Sequence, residues 1–157
     1  MIRNPENSVL RFGNISASLM WNSSFGSKRT EKFHKTQEFI DSECIRLMKP
    51  FTPMKNGVLM GSATRGTVIG SGHIVYTVPY GRYQYYGVVY GPNYPIYVNG
   101  ILEGFWSPPK KHKTNKQINH NKSRHPKAQR LWFEPMKRQY KGAILRGAAA
   151  IAGGRAK

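Results

Sequence analysis

Hydrophobic and polar positions follow two different periods along this chain, and the changes between them mark its elements. Near the start, Ser8–Phe12 and Ile15–Met20 flank Gly13-Asn14, a pattern that predicts a β-hairpin. Residues 22–27 form a polar, Gly/Ser-containing link. From Thr30 to Lys49 the period lengthens. Phe33, Ile40, Cys44 and Leu47 share one helical stripe, and Glu31, Glu38, Asp41 and Glu43 face elsewhere. Pro50 ends this helix, because proline disfavours helical geometry in the residue before it.

Beyond Pro50 the chain is punctuated by proline and glycine. Pro50–Leu59 reads as a stiff turn, with Gly57 offering a positive φ. Ala63–Ile69 and His73–Val78 are expected to form a hairpin about Gly70-Ser71-Gly72, with Ile74, Tyr76 and Val78 on one face. Arg82–Tyr86 fits a single helical turn stopped by Gly87. Val88–Tyr90, Ile96–Val98 and Ile101–Leu102 predict a further ribbon, turning at Asn99-Gly100. Residues 110–124 are almost free of apolar side chains and read as a loop or disordered arm. Regular structure is expected again near His125-Pro126. Pro135 suits the first turn of a last helix, whose stripe is Met136, Tyr140, Ala143, Ile144, Gly147 and Ile151, ending at Gly153-Gly154. The expected fold class is α+β: a long N-terminal helix and a C-terminal helix packed on a small antiparallel sheet, with an extended basic loop. Residues 1–26 read as an N-terminal extension, and residues 27–157 as a single domain with the basic arm 110–124.

Charge changes the picture more than composition does. The net charge is +18 over 157 residues. Residues 1–109 hold 11 Lys and Arg against 6 acids, whereas residues 110–157 hold 14 against Glu134 alone. Such self-repulsion calls for a polyanion or an acidic partner surface. No apolar run approaches the roughly 20 residues of a membrane span, so no membrane partner is expected. The first residues lack the apolar core of a signal peptide. Cys44 is the only cysteine, which excludes a disulfide framework and fits folding in a reducing cytoplasm.

Candidate chemistry is sparse. The cations Lys110, Lys111, Lys113, Lys116, Lys122 and Arg124 of the arm, with Lys137, Arg138 and Lys141 on the last helix, are candidates to face DNA or an acidic partner. The bland alternative is a solvated loop and the wet face of a helix. Eight of the nine tyrosines lie between Tyr76 and Tyr97, with only Arg82 among them. Base-stacking sites interleave cations, so these rings read as sheet packing and subunit contact. Pro53, Met54, Tyr80, Arg82, Tyr83, Tyr85, Tyr86, Trp106 and Trp132 are the subunit-contact candidates. His112, His120 and His125 fit no standard metal spacing. His34 and Cys44 lie about 15 Å apart along a helix, too far for a catalytic pair. Nothing in the sequence brings Glu103 and Glu134 together, and residues 66–72 lack the lysine of a phosphate loop. No enzyme, cofactor or small-molecule substrate is expected.

The order of the motifs is itself a signal. It runs through Asp41-Ser42-Glu43, Lys49-Pro50-Phe51-Thr52-Pro53-Met54, Gly57-Val58-Leu59, Ile69-Gly70-Ser71-Gly72, Pro79-Tyr80 and Arg82-Tyr83-Gln84-Tyr85-Tyr86-Gly87. It continues with His125-Pro126, Trp132-Phe133-Glu134-Pro135-Met136-Lys137 and Ile144-Leu145-Arg146-Gly147-Ala148-Ala149. Over residues 30–90 and 125–154 this order resembles a family of tailed-phage minor capsid proteins, related to the tail-completion and head–tail joining proteins of long-tailed phages. Asn56 stands where that family usually has threonine, and the first 26 residues lie outside the resemblance. The resemblance implies an α+β neck-protein domain in a homo-oligomeric ring, made in the bacterial host cytoplasm and located in the virion at the head–tail interface. It implies contacts with adjacent neck, stopper or adaptor, and tail-terminator or tail-tube proteins, and with double-stranded DNA in the channel. The alternative drawn from charge alone is a free basic nucleic-acid-binding protein.

Overall fold

The computed structural model describes residues 1–155. The protein is α+β, with strands between two long helices. Its elements are β1 (Ser8–Phe12), β2 (Ile15–Leu19), α1 (Phe25–Met48), α2 (Val58–Gly66), α3 (Gly81–Tyr86), β3 (Val88–Gly91), β4 (Tyr94–Val98), β5 (Ile101–Trp106), β6 (His112–Gln117) and α4 (Phe133–Ala152). The strands form three separate two-stranded antiparallel ribbons, β1–β2, β3–β6 and β4–β5, where one small sheet was expected. The chain divides into two compact units. One holds Met1–Cys44, Val68–His73 and the chain from Tyr140 onward; the other holds Ile45–Thr67 and Ile74–Gln139.

In the first unit, α1 begins five residues earlier than its apolar stripe predicts. The Asn4 side chain supplies the reason. Its Oδ1 accepts the Gly26 N–H at 2.6 Å, and its Nδ2 donates to the Ser23 carbonyl at 2.8 Å. An orphan donor of the first helical turn is thereby satisfied from outside the helix. The buried face of α1 in this unit is Thr36, Asp41 and Cys44, while Phe33 is exposed beneath the Arg29 guanidinium. Asp41, expected to face away from the core, is only 3 % exposed. On α4, Ile144 and Ala148 are buried, and Gly147 has no Cβ where the Phe39 ring abuts the helix.

In the second unit the core is Ile45, Met48, Phe51, Leu59, Ala63, Ala128, Trp132 and Met136. The expected strand at residues 63–69 is absent. Val58–Gly66 is helical instead, started by Gly57 in the left-handed region (φ 80°), with Leu59, Ser62 and Ala63 buried at helical spacing. The partner strand at residues 73–78 is absent as well. Two N–H groups of residues 67–78 are taken by side chains, that of Val75 in the expected second strand and that of Gly72 in the expected turn. Thr67 Oγ1 accepts the Val75 N–H at 3.0 Å, and Asp41, within the first unit, takes the Gly72 N–H. The short helix α3 matches expectation: Gly87 is left-handed (φ 68°), and its N–H bonds the Tyr83 carbonyl.

Candidate nucleic-acid and subunit interfaces

The basic arm is not the free loop its composition predicts. His112–Gln117 forms β6, paired with β3, placing Val88 opposite Gln117, Tyr90 opposite Lys113 and Gly91 opposite His112. Between the pairs at Val88 and Tyr90, one residue of β3, Val89, stands against three of β6, Thr114, Asn115 and Lys116, so β6 carries a bulge. The Thr114 hydroxyl holds it, donating to the Val89 carbonyl at 2.7 Å. The strand lacks apolar alternation, which is why the sequence reads as loop; backbone pairing with the β3 edge orders it. Lys110, Lys113, Lys116, Lys122 and Arg124 are exposed, whereas Lys111 is half-buried and donates to Asn93 Oδ1 at 2.8 Å. Lys137, Arg138 and Lys141 project from exposed positions of α4. Lys127 and Arg130, between arm and helix, are exposed too; the sequence reading missed them because they lie outside both basic runs. Among the described residues, no Lys or Arg beyond residue 109 forms an ion pair. On α1, Lys35 pairs with Glu31 at 2.6 Å, and His34 Nδ1 lies 3.2 Å from Glu38 Oε1.

The histidines have other employment. His125 Nδ1 donates to the Thr52 carbonyl at 2.8 Å, and His120 Nε2 to the Gln84 carbonyl at 2.9 Å. A carbonyl only accepts, so each bonded ring nitrogen carries its proton. The Gln129 N–H also bonds the Phe51 carbonyl, at 3.1 Å. The turn after α1 and the His-Pro segment, far apart in sequence, are therefore tied backbone to backbone.

The subunit-contact candidates divide into two groups. Trp132 is 1 % exposed and belongs to the core of its own chain. Its Nε1 donates to Tyr76 Oη at 3.0 Å, and the Tyr76 and Tyr85 rings meet it edge-on at 5.4 and 4.8 Å. Pro53 is buried as well. These two, expected at a subunit contact, are packing residues, because a tryptophan with one N–H is well placed wherever a hydroxyl can receive it. Burial raises the Tyr76 hydroxyl above the usual tyrosine range, and burial followed by the Glu134 charge does the same to Tyr85. Tyr83 is half-buried against Tyr90 at 4.8 Å, and Met54 is half-buried. Tyr80, Arg82, Tyr86 and Trp106 are exposed, with Trp106 stacked on Tyr94. Pro53, Met54 and Tyr80 meet at one groove of about 310 Å³, rimmed by Lys55, Gln84 and Asn121.

Among the described residues no three His, Cys, Asp or Glu side chains converge as a metal site, and no helix is long and apolar enough to cross a membrane. Compared with protein-family models, curated proteins and solved structures, the chain matches none.

Proposed function

We propose that this chain is a structural virion protein of a phage neck, a subunit of a tail-completion type ring joining the DNA-filled capsid to the tail. The observation that carries the reading is the run of exposed Lys and Arg side chains between residues 110 and 141, set against Glu134 alone and without ion pairs among the described residues. It sits on a chain whose motif order resembles the neck family. Lys113 and Lys116 on the bulged ribbon, with Lys137, Arg138 and Lys141 on α4, would neutralise phosphates without reading bases. That suits DNA passing through a channel, where any sequence must be accepted. Met54, Tyr80, Arg82 and Tyr86 would meet neighbouring subunits or adjacent rings.

The test is localisation in assembled particles by cryo-electron microscopy or immuno-gold labelling. A ring of density at the head–tail joint is the expected result. The net charge of +18 favours a second reading, a free nucleic-acid-binding protein. Absence from particles, with the protein on nucleic acid in the cell, would establish that reading instead. Titration with duplex DNA separates the two in solution. Tight binding by the monomer with a steep salt slope belongs to the free binder, and weak binding until rings form belongs to the neck protein.

A further inference from the structure

The groove of about 310 Å³ beside the Pro53–Gly57 turn is lined by side chains that arrive from three places in the chain. Lys55 and Asn56 come from the turn before α2, Gln84 from α3, and Asn119 and Asn121 from the segment that follows β6. No Asp or Glu is among its lining residues.

Two of these amides have their acceptor oxygens already engaged. Asn121 Oδ1 accepts the Ser123 N–H at 2.9 Å and the Ser123 hydroxyl at 2.6 Å, and Asn56 Oδ1 accepts the Val58 N–H at 3.3 Å. A backbone N–H only donates, so in each case the oxygen is held and the NH2 is left over. Neither NH2 has a partner among the described residues, and Lys55 has no ion pair there. The groove therefore carries an excess of donors.

The segment bearing Asn119 and Asn121 is fixed although both side chains are exposed. The Ile118 N–H bonds the Gly87 carbonyl at 2.9 Å, His120 Nε2 donates to the Gln84 carbonyl at 2.9 Å, and His125 Nδ1 donates to the Thr52 carbonyl at 2.8 Å. Asn119 lies between two of these ties, and Asn121 directly follows the second. Their positions are set before any ligand arrives, which lowers the ordering cost of binding one.

We infer that this groove seats a phosphate of a nucleic-acid backbone, held by Lys55 and by the amide donors of Asn56, Asn119 and Asn121. A phosphate oxygen only accepts, which matches a wall of donors without a carboxylate. Lys, Asn and Gln are among the side chains that bind backbone phosphates and fix a protein's register on the nucleic acid. The exposed cations Lys116, Lys122 and Arg124 flank the two asparagines in sequence and have no ion pairs among the described residues. Cations on both sides of a neutral seat suit an anion repeated along a chain, which a free phosphate ion is not. The inference rests on the nucleic-acid contact proposed above and gives that contact a fixed point of attachment.

The test is a titration of the full chain with short duplex DNA of arbitrary sequence at low salt, followed by nuclear magnetic resonance. The side-chain NH2 signals of Asn56, Asn119 and Asn121 should shift and saturate together with the backbone amides of Lys113 and Lys116. Affinities of three variants carrying the same charge change provide a second readout. Asn56→Asp and Asn121→Asp keep the oxygen that holds Val58 or Ser123 and replace the free NH2 with a charged oxygen, so thermal melts should match wild type. Each should bind the duplex about tenfold more weakly, whereas Asn14→Asp, at the β1–β2 turn outside the groove, should stay within about twofold of wild type. Shifts on β6 with the three NH2 signals unmoved would overturn the inference, as would equal losses at all three Asp positions or no duplex binding by wild type. Shifts of the NH2 signals by inorganic phosphate that duplex DNA does not reproduce would overturn it in favour of a small free anion. The neck reading is judged separately, by localisation in particles: an empty groove leaves it standing, and absence from particles with an occupied groove leaves the phosphate seat to a free nucleic-acid binder.

Discussion

The buried Asp41 carboxylate accepts three hydrogen bonds, and its removal can be worked through from geometry. Oδ2 accepts the Gly70 N–H at 2.8 Å and the Gly72 N–H at 3.0 Å, while Oδ1 accepts Gln37 Nε2 at 2.7 Å. Hydrogen bonds to a charged group contribute about 1.5–3 kcal/mol each, roughly twice a neutral pair. Gly70 is half-buried and Gly72 exposed, so water would partly replace the lost acceptor. Asp41→Ala is therefore expected to cost about 2–4 kcal/mol, below the full sum of three charged bonds. Asp41→Asn can keep its oxygen on the two glycine N–H groups and turn its amide towards a flipped Gln37. It loses the charge but not the bonds, and is expected to cost about 1–2 kcal/mol. Urea denaturation followed by far-ultraviolet circular dichroism measures both, and hydrogen exchange at Gly70 and Gly72 reports the turn directly. If Asp41→Ala falls within about 0.5 kcal/mol of wild type, or the two glycine amides exchange at unprotected rates, the carboxylate is not what holds this turn.

Gly66→Ala would gain about 1 kcal/mol of helix propensity, but its Cβ would lie 2.5 Å from Thr77 Cγ2 and 2.9 Å from the Val75 carbonyl oxygen. Overpacking costs about 1–3 kcal/mol, so a net loss of about 1 kcal/mol is expected on thermal melting, and a gain would refute the packing. Tyr76 and Tyr85 hold their protons more tightly folded than unfolded, so the unfolded chain loses them first as pH rises. Stability should be fully present below about pH 10 and fall above it, through the raised folded range; urea midpoints flat from pH 9 to 11 would contradict this. Lys113→Ala with Lys116→Ala should reduce the slope of log affinity against log salt for duplex DNA by about 1.8 if both reach phosphate. An unchanged slope would remove β6 from the interface.

Legibility in the sequence followed whichever group satisfies the backbone. Where the backbone satisfies itself, period and punctuation sufficed: the β1–β2 hairpin, the Gly87 stop, the Asn99-Gly100 turn and the last helix all stand where they were expected. Where a distant group intervenes, they did not. Asn4 extends α1 backwards, Thr67 and Asp41 draw residues 67–78 away from a ladder, and β3 recruits a polar arm as its partner strand. Each depends on an acceptor or an edge supplied from elsewhere in the chain, which a local pattern does not contain. Trp132 shows the same limit for the candidate sites. Its type suits a subunit contact and a core equally, and the hydroxyl of Tyr76 decides for the core.

The exposed ribbons reverse this logic. Leu10, Phe12, Ile15 and Ala17 alternate with Arg11 and Ser16, the pattern of a face under cover, and these apolar residues of β1 and β2 are left exposed among the described residues. A period that predicts burial, met by a face that is bare, emerges only when the sequence and the structure are set side by side. Under the neck reading proposed above, the exposed cations between residues 110 and 141 would have a distinct task, because charges of one sign contribute nothing to joining like subunits and would serve to hold a polyanion.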